Sequence, residues 1–548
     1  MNKHSTEAVE WDLEQILPLK DFELAYSELE NIVPEYRNWL SRLKPNMSTA
    51  QFLEYLDWSA AVEEKFNRLY NRISLWQSVD GKNSKMLTLK GRNQALMLQL
   101  TEAARPIEMW LKGLAVGDME VLDDKNAQRL FATQKDSEFV LTTMRQQAQY
   151  SLLPNEEDIV SNKDATVKSP LVNMRQLIDS DLRFEFMLDG KLKKFDTQSE
   201  LMEYTHSEDP DVRVAAFRAL HKPYREHREK YFSIYQAVVK DWVYMAKLRG
   251  FASPIARRNV ANNIPDAAIE TLMKVCEEER TVFQDYFRWK AQKLGMKQLR
   301  REDIYAPVNE TKQTYTYKEC VDMVLKSYDE FAPSFGEKAR RVVESQHVHS
   351  HPSTVKQSGA FCSYTAPSVV PYVLVNFSGK GRDISTIAHE LGHAIHGLFT
   401  QHLPINSMDA PLPLAETAST FGEMLLFDKL LADVKDDTEK EALLSEKIAD
   451  SYASICRQNY FVKFEIAAHE AIATGAGLDE IEQLWIDILR EQFGDAVEVD
   501  DDFKQEWARI PHIVKSPFYC YAYNFGELLS LSLYARYKSE VDSFIPKI

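Results

Sequence analysis

Along roughly the first 180 positions, apolar residues recur three and four apart, the period of helices that bury one face. Ser48-Thr49-Ala50 reads as a helix start and Asp80-Gly81 as a turn closing a long helix. Nothing in this stretch groups into a chemical site, so it reads as a helical scaffold or lid. Near residue 183 the period drops to two. Phe184, Phe186 and Leu188 alternate with charged or flexible neighbours, Asp189-Gly190 follows, and Leu192 and Phe195 resume. Alternation on both sides of Asp-Gly predicts a β-hairpin. A boundary placed here gives an N-terminal helical domain over 1–180 and a second domain over 181–548.

Helical periodicity returns over 197–300, with Thr197 and a glutamate three residues on as the start signal. Residues 337–378 break it again: Val342-Val343, then 359–364, then 372–377 predict short strands. Gly379-Lys380-Gly381 ends that region, and Asp383-Ile384-Ser385 opens a helix that runs to about Phe399. From Leu414 onward the pattern is mostly helical. The expected fold class is mainly α, with a small β-sheet beside the 383–399 helix.

Composition narrows the class. The 548 residues are 44% hydrophobic and 27% charged, with only 18 Gly, the balance of a globular helical protein. A formal net charge of −17 argues against nucleic acid or an anionic membrane surface as the main partner. Five cysteines, far apart and with no Cys-x-x-Cys pair, form neither a disulfide framework nor a zinc ribbon. Met1 to Glu14 is polar and acidic rather than leader-like, and no apolar run reaches the ~18 residues of a membrane span. A cytoplasmic location is expected.

The chemistry is concentrated in His389-Glu390-Leu391-Gly392-His393. Two histidines four apart on a helix share a face one turn apart, so both imidazoles can reach one cation. A catalytic zinc takes three protein ligands and keeps a fourth position for water. Glu390, beside His389, can take a proton from that water without being a ligand. The third ligand discriminates among site types. A histidine-type extension needs His at 399 and Gly at 396, but the chain has Phe399 and His396. A carboxylate on a later helix is the alternative. Asp409 lies among Pro404, Pro411 and Pro413 and reads as loop, whereas Glu416 and Glu423, seven apart in a strong helical pattern, share a face. Glu416 is the expected third ligand. Glu423 is expected to steer a ligand imidazole by hydrogen bond.

These residues resemble the oligoendopeptidase F family of thimet-oligopeptidase-like zinc metallopeptidases. The likeness is carried by Pro371–Gly379, Arg382-Asp383, Ala388–His396 and Pro413–Glu423, with 359–362 and Trp11-Asp12-Leu13 similar too; it is tight over about 357–425 and looser elsewhere. It implies a large two-lobed helical shell around a deep channel, one Zn2+ per chain, and cleavage of oligopeptides rather than folded proteins. It implies His389, His393 and Glu416 as metal ligands and Glu390 as general base. The family's C-terminal His and Tyr cluster matches His512, Tyr519, Tyr521 and Tyr523, whose hydroxyls would support a developing oxyanion. On a helix, Tyr519 and Tyr523 share a face and Tyr521 does not.

Other conspicuous residues receive plainer readings. His396 is expected to pack or hydrogen-bond, and Asp383 to sit as an acid in a helix first turn. His347, His349 and His351 alternate too widely along a strand for one compact metal site and read as surface or channel histidines. Cys362 and Cys520 read as small packing residues. Strand residues near Phe361 and Asn376 could pair with an extended peptide. Two other functions fit the same residues: a catalytically weak peptide-binding protein of this fold, and a zinc amidohydrolase acting on non-peptide substrates. The sequence carries no signal for oligomeric state.

Overall fold

The computed structural model describes residues 9–81, 83–309, 314–353 and 355–547. Most of the polar segment read as not leader-like, residues 1–8, lies outside them. Three long helices, Phe22–Arg42, Thr49–Val79 and Ser84–Leu111, build the N-terminal part. Ser48 begins the second of them in a reciprocal capping box with Gln51, which satisfies two of the N–H groups that every helix start leaves unpaired. Their apolar stripes meet in a core drawn from residues 22–141, with Tyr26, Leu29, Phe52, Leu69 and Trp110 wholly buried.

The predicted hairpin forms as Phe184–Leu188 paired antiparallel with Lys191–Phe195. Asp189 and Gly190 carry φ of 52° and 72°, the left-handed pair that a two-residue hairpin turn requires. Alternation buries Phe184, Phe186 and Phe195. They join a second core built from residues 182–514, against which Val172 and Ile178 of the preceding helix also pack.

A third core surrounds the helix Gly381–Phe399, which is clasped by Tyr317–Phe331, Pro333–Glu344 and Leu412–Asp433, with the C-terminal helix Tyr521–Glu540 packed against the last of these. Beside it lies a three-stranded sheet. Tyr372–Leu374 is central, parallel to Val348–His349 and antiparallel to Phe361–Ser363. The fold is mainly α, as the periodicity requires. One strand prediction fails: Val342 and Val343 belong to the helix Pro333–Glu344. With Ala339 three residues earlier, Val342 faces the third core, and that packing outweighs the strand preference of two β-branched residues.

Of the alternating histidines, His347 is buried and His349 and His351 are half-buried. His347 is 2% exposed and stacks on Tyr372 at 3.8 Å. His349 meets the ring of Trp11 at 5.4 Å, and His351 packs against Tyr317 and Phe377. The indole N–H of Trp11 donates to the carbonyls of His347 and Val373, tying the N-terminal segment onto the sheet. Among the described residues no helix is long and apolar enough to cross a membrane.

Candidate active site

The motif helix is set by its own ends and by close approach to its neighbour. The Asp383 carboxylate accepts from the backbone N–H groups of Ser378, Gly379 and Lys380 at 2.7–3.0 Å, so its negative charge organises the turn that opens the helix. Ile384, Ile387, Leu391, Ile395 and Leu398 fall three and four apart on the buried face. Gly392 is required by contact: a Cβ there would lie 2.8 Å from the Ala418 carbonyl and the Ser419 Cα. Its absence lets the motif helix and Leu412–Asp433 approach closely enough for Glu416 to face the histidines. The Tyr328 and Tyr364 hydroxyls pin the helix by donating to the carbonyls of Ala388 and His393, each at 2.6 Å.

His389, His393 and Glu416 converge. One potential ligand atom from each lies within 4.8 Å of the others. Glu416 Oε2 is 3.6 Å from His389 Nε2 and 3.8 Å from His393 Nε2, and the two rings stand nearly perpendicular. His389 Nδ1 lies 2.5 Å from Glu423 Oε1, so Glu423 fixes which ring nitrogen faces the cage. Behind Glu416 stands Gly526 of the C-terminal helix, where a Cβ would come within 2.7 Å of the Glu416 Cβ.

Electrostatics separates the groups. For His389, burial opposes the charged ring, yet Glu423, Glu390 and Glu416 together carry its pKa up to about 9. Burial raises Glu390 to about 7; Glu416 and Glu423 add to the shift while His389 opposes it. Burial and the charge of His389 push His393 down to about 3. Glu390 is 6% exposed, and its Oε2 has no hydrogen-bond partner among the described residues. Two imidazoles, a carboxylate and a buried carboxyl with a spare oxygen match the donor set and proton acceptor of a hydrolytic zinc centre.

The C-terminal cluster divides. Tyr519 precedes the last helix, in a turn, and its hydroxyl donates to Glu416 Oε1 at 3.1 Å. Its ring stacks on His512 at 5.5 Å and meets Tyr523 at 5.2 Å, and Tyr523 Oη lies 3.3 Å from His512 Nε2. Burial holds His512 neutral, with its pKa down to about 4. Tyr521 does not join them. It is fully buried in a separate core, and its hydroxyl accepts from Asn262 Nδ2 at 2.7 Å, so it is corrected from a site candidate to a packing residue. His396 stays outside the cage, and Cys520 is buried packing. Asn376 is committed elsewhere, its amide donating to the carbonyls of Gln357 and Gly359. Among these residues, only the edge strand Phe361–Ser363 remains for pairing with a peptide. Tyr328, Tyr364 and Gly526 were not singled out from the sequence. The one available signal was a glycine inside an aromatic-rich helix.

Comparison with known proteins places the chain. The model of peptidase family M3 matches residues 203–544, which contain the whole cage and the Tyr519 cluster. The chain belongs to peptidase family M3. Membership makes it a metallopeptidase, and its relatives set it in the oligoendopeptidase F group of family M3. It is 23% identical to oligopeptidase PepF of Bacillus subtilis, covering 98% of this chain and 80% of that protein. It is 24% identical to the group B oligopeptidase PepB of Streptococcus agalactiae, over 95% of this chain and 86% of that one. The oligoendopeptidase F structure from Enterococcus faecium superposes with a TM-score of 0.71 at 20% identity, over 96% and 89% of the two chains, a likeness of fold.

Proposed function

We propose that this M3-family peptidase is a zinc-dependent oligoendopeptidase that cuts internal bonds of short, unfolded peptides in the cytoplasm. The observation that carries the proposal is the convergence of His389, His393 and Glu416 within 4.8 Å, beside a buried Glu390 oxygen that lacks a partner. His389, His393 and Glu416 would hold the ion. A zinc ion held there supplies Lewis acidity, lowering the pKa of water to about 7 and polarising a carbonyl.

The chain's own groups do the rest. Glu390, with its pKa near 7, takes a proton from the attacking water and returns it to the leaving amine. Glu423 keeps His389 Nε2 toward the cage. The hydroxyl of Tyr523, beside neutral His512, and that of Tyr519, turning its one proton from Glu416, donate to the substrate carbonyl oxygen as it gains charge. The free edge of Phe361–Ser363 takes the substrate backbone as an added strand, giving sequence-tolerant binding. Residues 181–548 form the catalytic domain and 1–180 the helical one, a division supported by separate cores from 22–141 and 182–514.

Metal analysis of the purified protein, combined with turnover of a quenched peptide before and after chelation, tests the reading. Stoichiometric zinc and chelator-sensitive cleavage are expected. A zinc-loaded protein that leaves every short peptide intact would overturn it in favour of a peptide-binding role. Mass spectrometry of the products separates peptide cleavage from amidohydrolase action on non-peptide substrates.

A further inference from the structure

Tyr519 reaches Glu416 from an unfavourable backbone. Its predecessor, Phe518, has φ of +59°, the left-handed region where an aromatic residue with a Cβ is strained. Such a conformation persists only where its surroundings over-determine it. Here they do. The Phe518 N–H donates to Glu465 Oε1 at 2.8 Å in a fully buried setting. Arg258 grips the two preceding residues: Nε donates to the Pro517 carbonyl at 3.0 Å and Nη2 to Ser516 Oγ at 2.9 Å. The Phe518 ring is itself wholly buried, 4.6 Å from the ring of His469.

Glu465 is an unusual group to find there. Its exposure is 0%, its second oxygen has no partner among the described residues, and it is not one of the cage residues. A buried carboxyl is costly unless its hydrogen bonds serve the fold. The bond it makes fixes the peptide plane on one side of the left-handed residue, while the Tyr519 N–H, donating to the Ser516 carbonyl at 3.0 Å, fixes the plane on the other. If φ of Phe518 relaxed to negative values, the following peptide would rotate and Tyr519 would swing away from Glu416.

We propose that Glu465, assisted by Arg258, is a positioning residue: it locks Phe518 in the left-handed conformation and thereby aims the Tyr519 hydroxyl at the Glu416 carboxylate. The inference rests on the reading that Tyr519 acts in catalysis, and the test separates the two. Glu465→Leu removes the acceptor, whereas Glu465→Gln keeps it. The Leu variant is expected to lose kcat on the order of 10–100-fold with KM little changed, the scale of a misplaced catalytic group. The Gln variant is expected to recover most of the loss. Combined with Tyr519→Phe, Glu465→Leu should cost little beyond Tyr519→Phe alone, because both remove the same hydroxyl from its place. Amide hydrogen exchange over 516–523 should rise in Glu465→Leu and not in Glu465→Gln. If Glu465→Leu does not fold, Arg258→Met loosens the same turn from the other side and is expected to give the same kcat loss and exchange pattern. Unchanged kcat and exchange in the folded variant, or losses that multiply with Tyr519→Phe, overturn the proposal. Full activity of Tyr519→Phe by itself overturns the catalytic reading of Tyr519, and the exchange data then still decide whether Glu465 holds the turn.

Discussion

His389 Nδ1 and Glu423 Oε1 lie 2.5 Å apart, joining the motif helix to the next helix through a group seven residues beyond Glu416. Glu423 therefore touches the cage through the imidazole it holds. Its truncation to Ala should weaken metal affinity by about 10–100-fold, while Glu423→Gln should lose less. Competition with a chromogenic chelator measures both, and wild-type affinity in Glu423→Ala would show that the contact does not orient the ring.

Glu390 and His389 should fail in different ways. Glu390→Gln is expected to retain the metal and lose roughly 100- to 10,000-fold in kcat, the range of a positioned general base. His389→Ala should lose the metal itself. Metal content measured beside peptide turnover distinguishes the two.

The tyrosines are expected to part company. Tyr519→Phe removes the hydroxyl that sits on Glu416 and should lower kcat by about 100-fold if it serves the oxyanion. Tyr521→Phe breaks only the bond from Asn262 in a separate core, so kcat should stay near wild type while the melting temperature falls. Equal kcat losses would contradict this division.

Gly392→Ala places a methyl 2.8 Å from the Ala418 carbonyl and must push two helices apart. Overpacking of this kind destabilises by about 1–3 kcal/mol. Here the displacement also widens the cage, so metal affinity should fall together with the denaturation midpoint.

Glu465 carries a pH signature of its own. Burial raises its carboxyl to about 8, against the Phe518 hydrogen bond and the Arg258 charge. The Tyr235 and Cys520 side chains also lie within its field, and both are held neutral by burial. The unfolded chain releases this proton near the ordinary 4.5, the folded chain near 8. Between those values the folded state holds more protons, so the contribution of Glu465 to stability falls as pH rises through the window. The urea midpoint of wild type relative to Glu465→Gln should therefore decline from pH 5 toward pH 8. A difference that is flat with pH would show that Glu465 is ionised throughout.

What the sequence disclosed follows from the range of the interactions involved. His389 and His393 could be placed together because four residues make one helical turn, and Glu416 and Glu423 because seven make two. Trp11, far from the cage in sequence, was visible only through resemblance. Tyr521 entered the candidates through the resemblance, and the spacing that sets it on another face than Tyr519 and Tyr523 agrees with its place in a separate core. Val342 was misread because the core that recruits it is made by distant helices. Tyr328, Gly526 and Glu465 act across more than fifty residues and leave no local pattern.

Gly526, pressed against Glu416, has a consequence for the birth of the enzyme. The two histidines and Glu416 are synthesised more than a hundred residues before the helix that walls off the carboxylate. A nascent chain whose last helix is still inside the ribosome lacks both that wall and the Tyr519 hydroxyl. Hydrolytic competence thus cannot arrive before residues 519–540 have emerged and folded, and until then other emerging polypeptides nearby meet an unassembled blade.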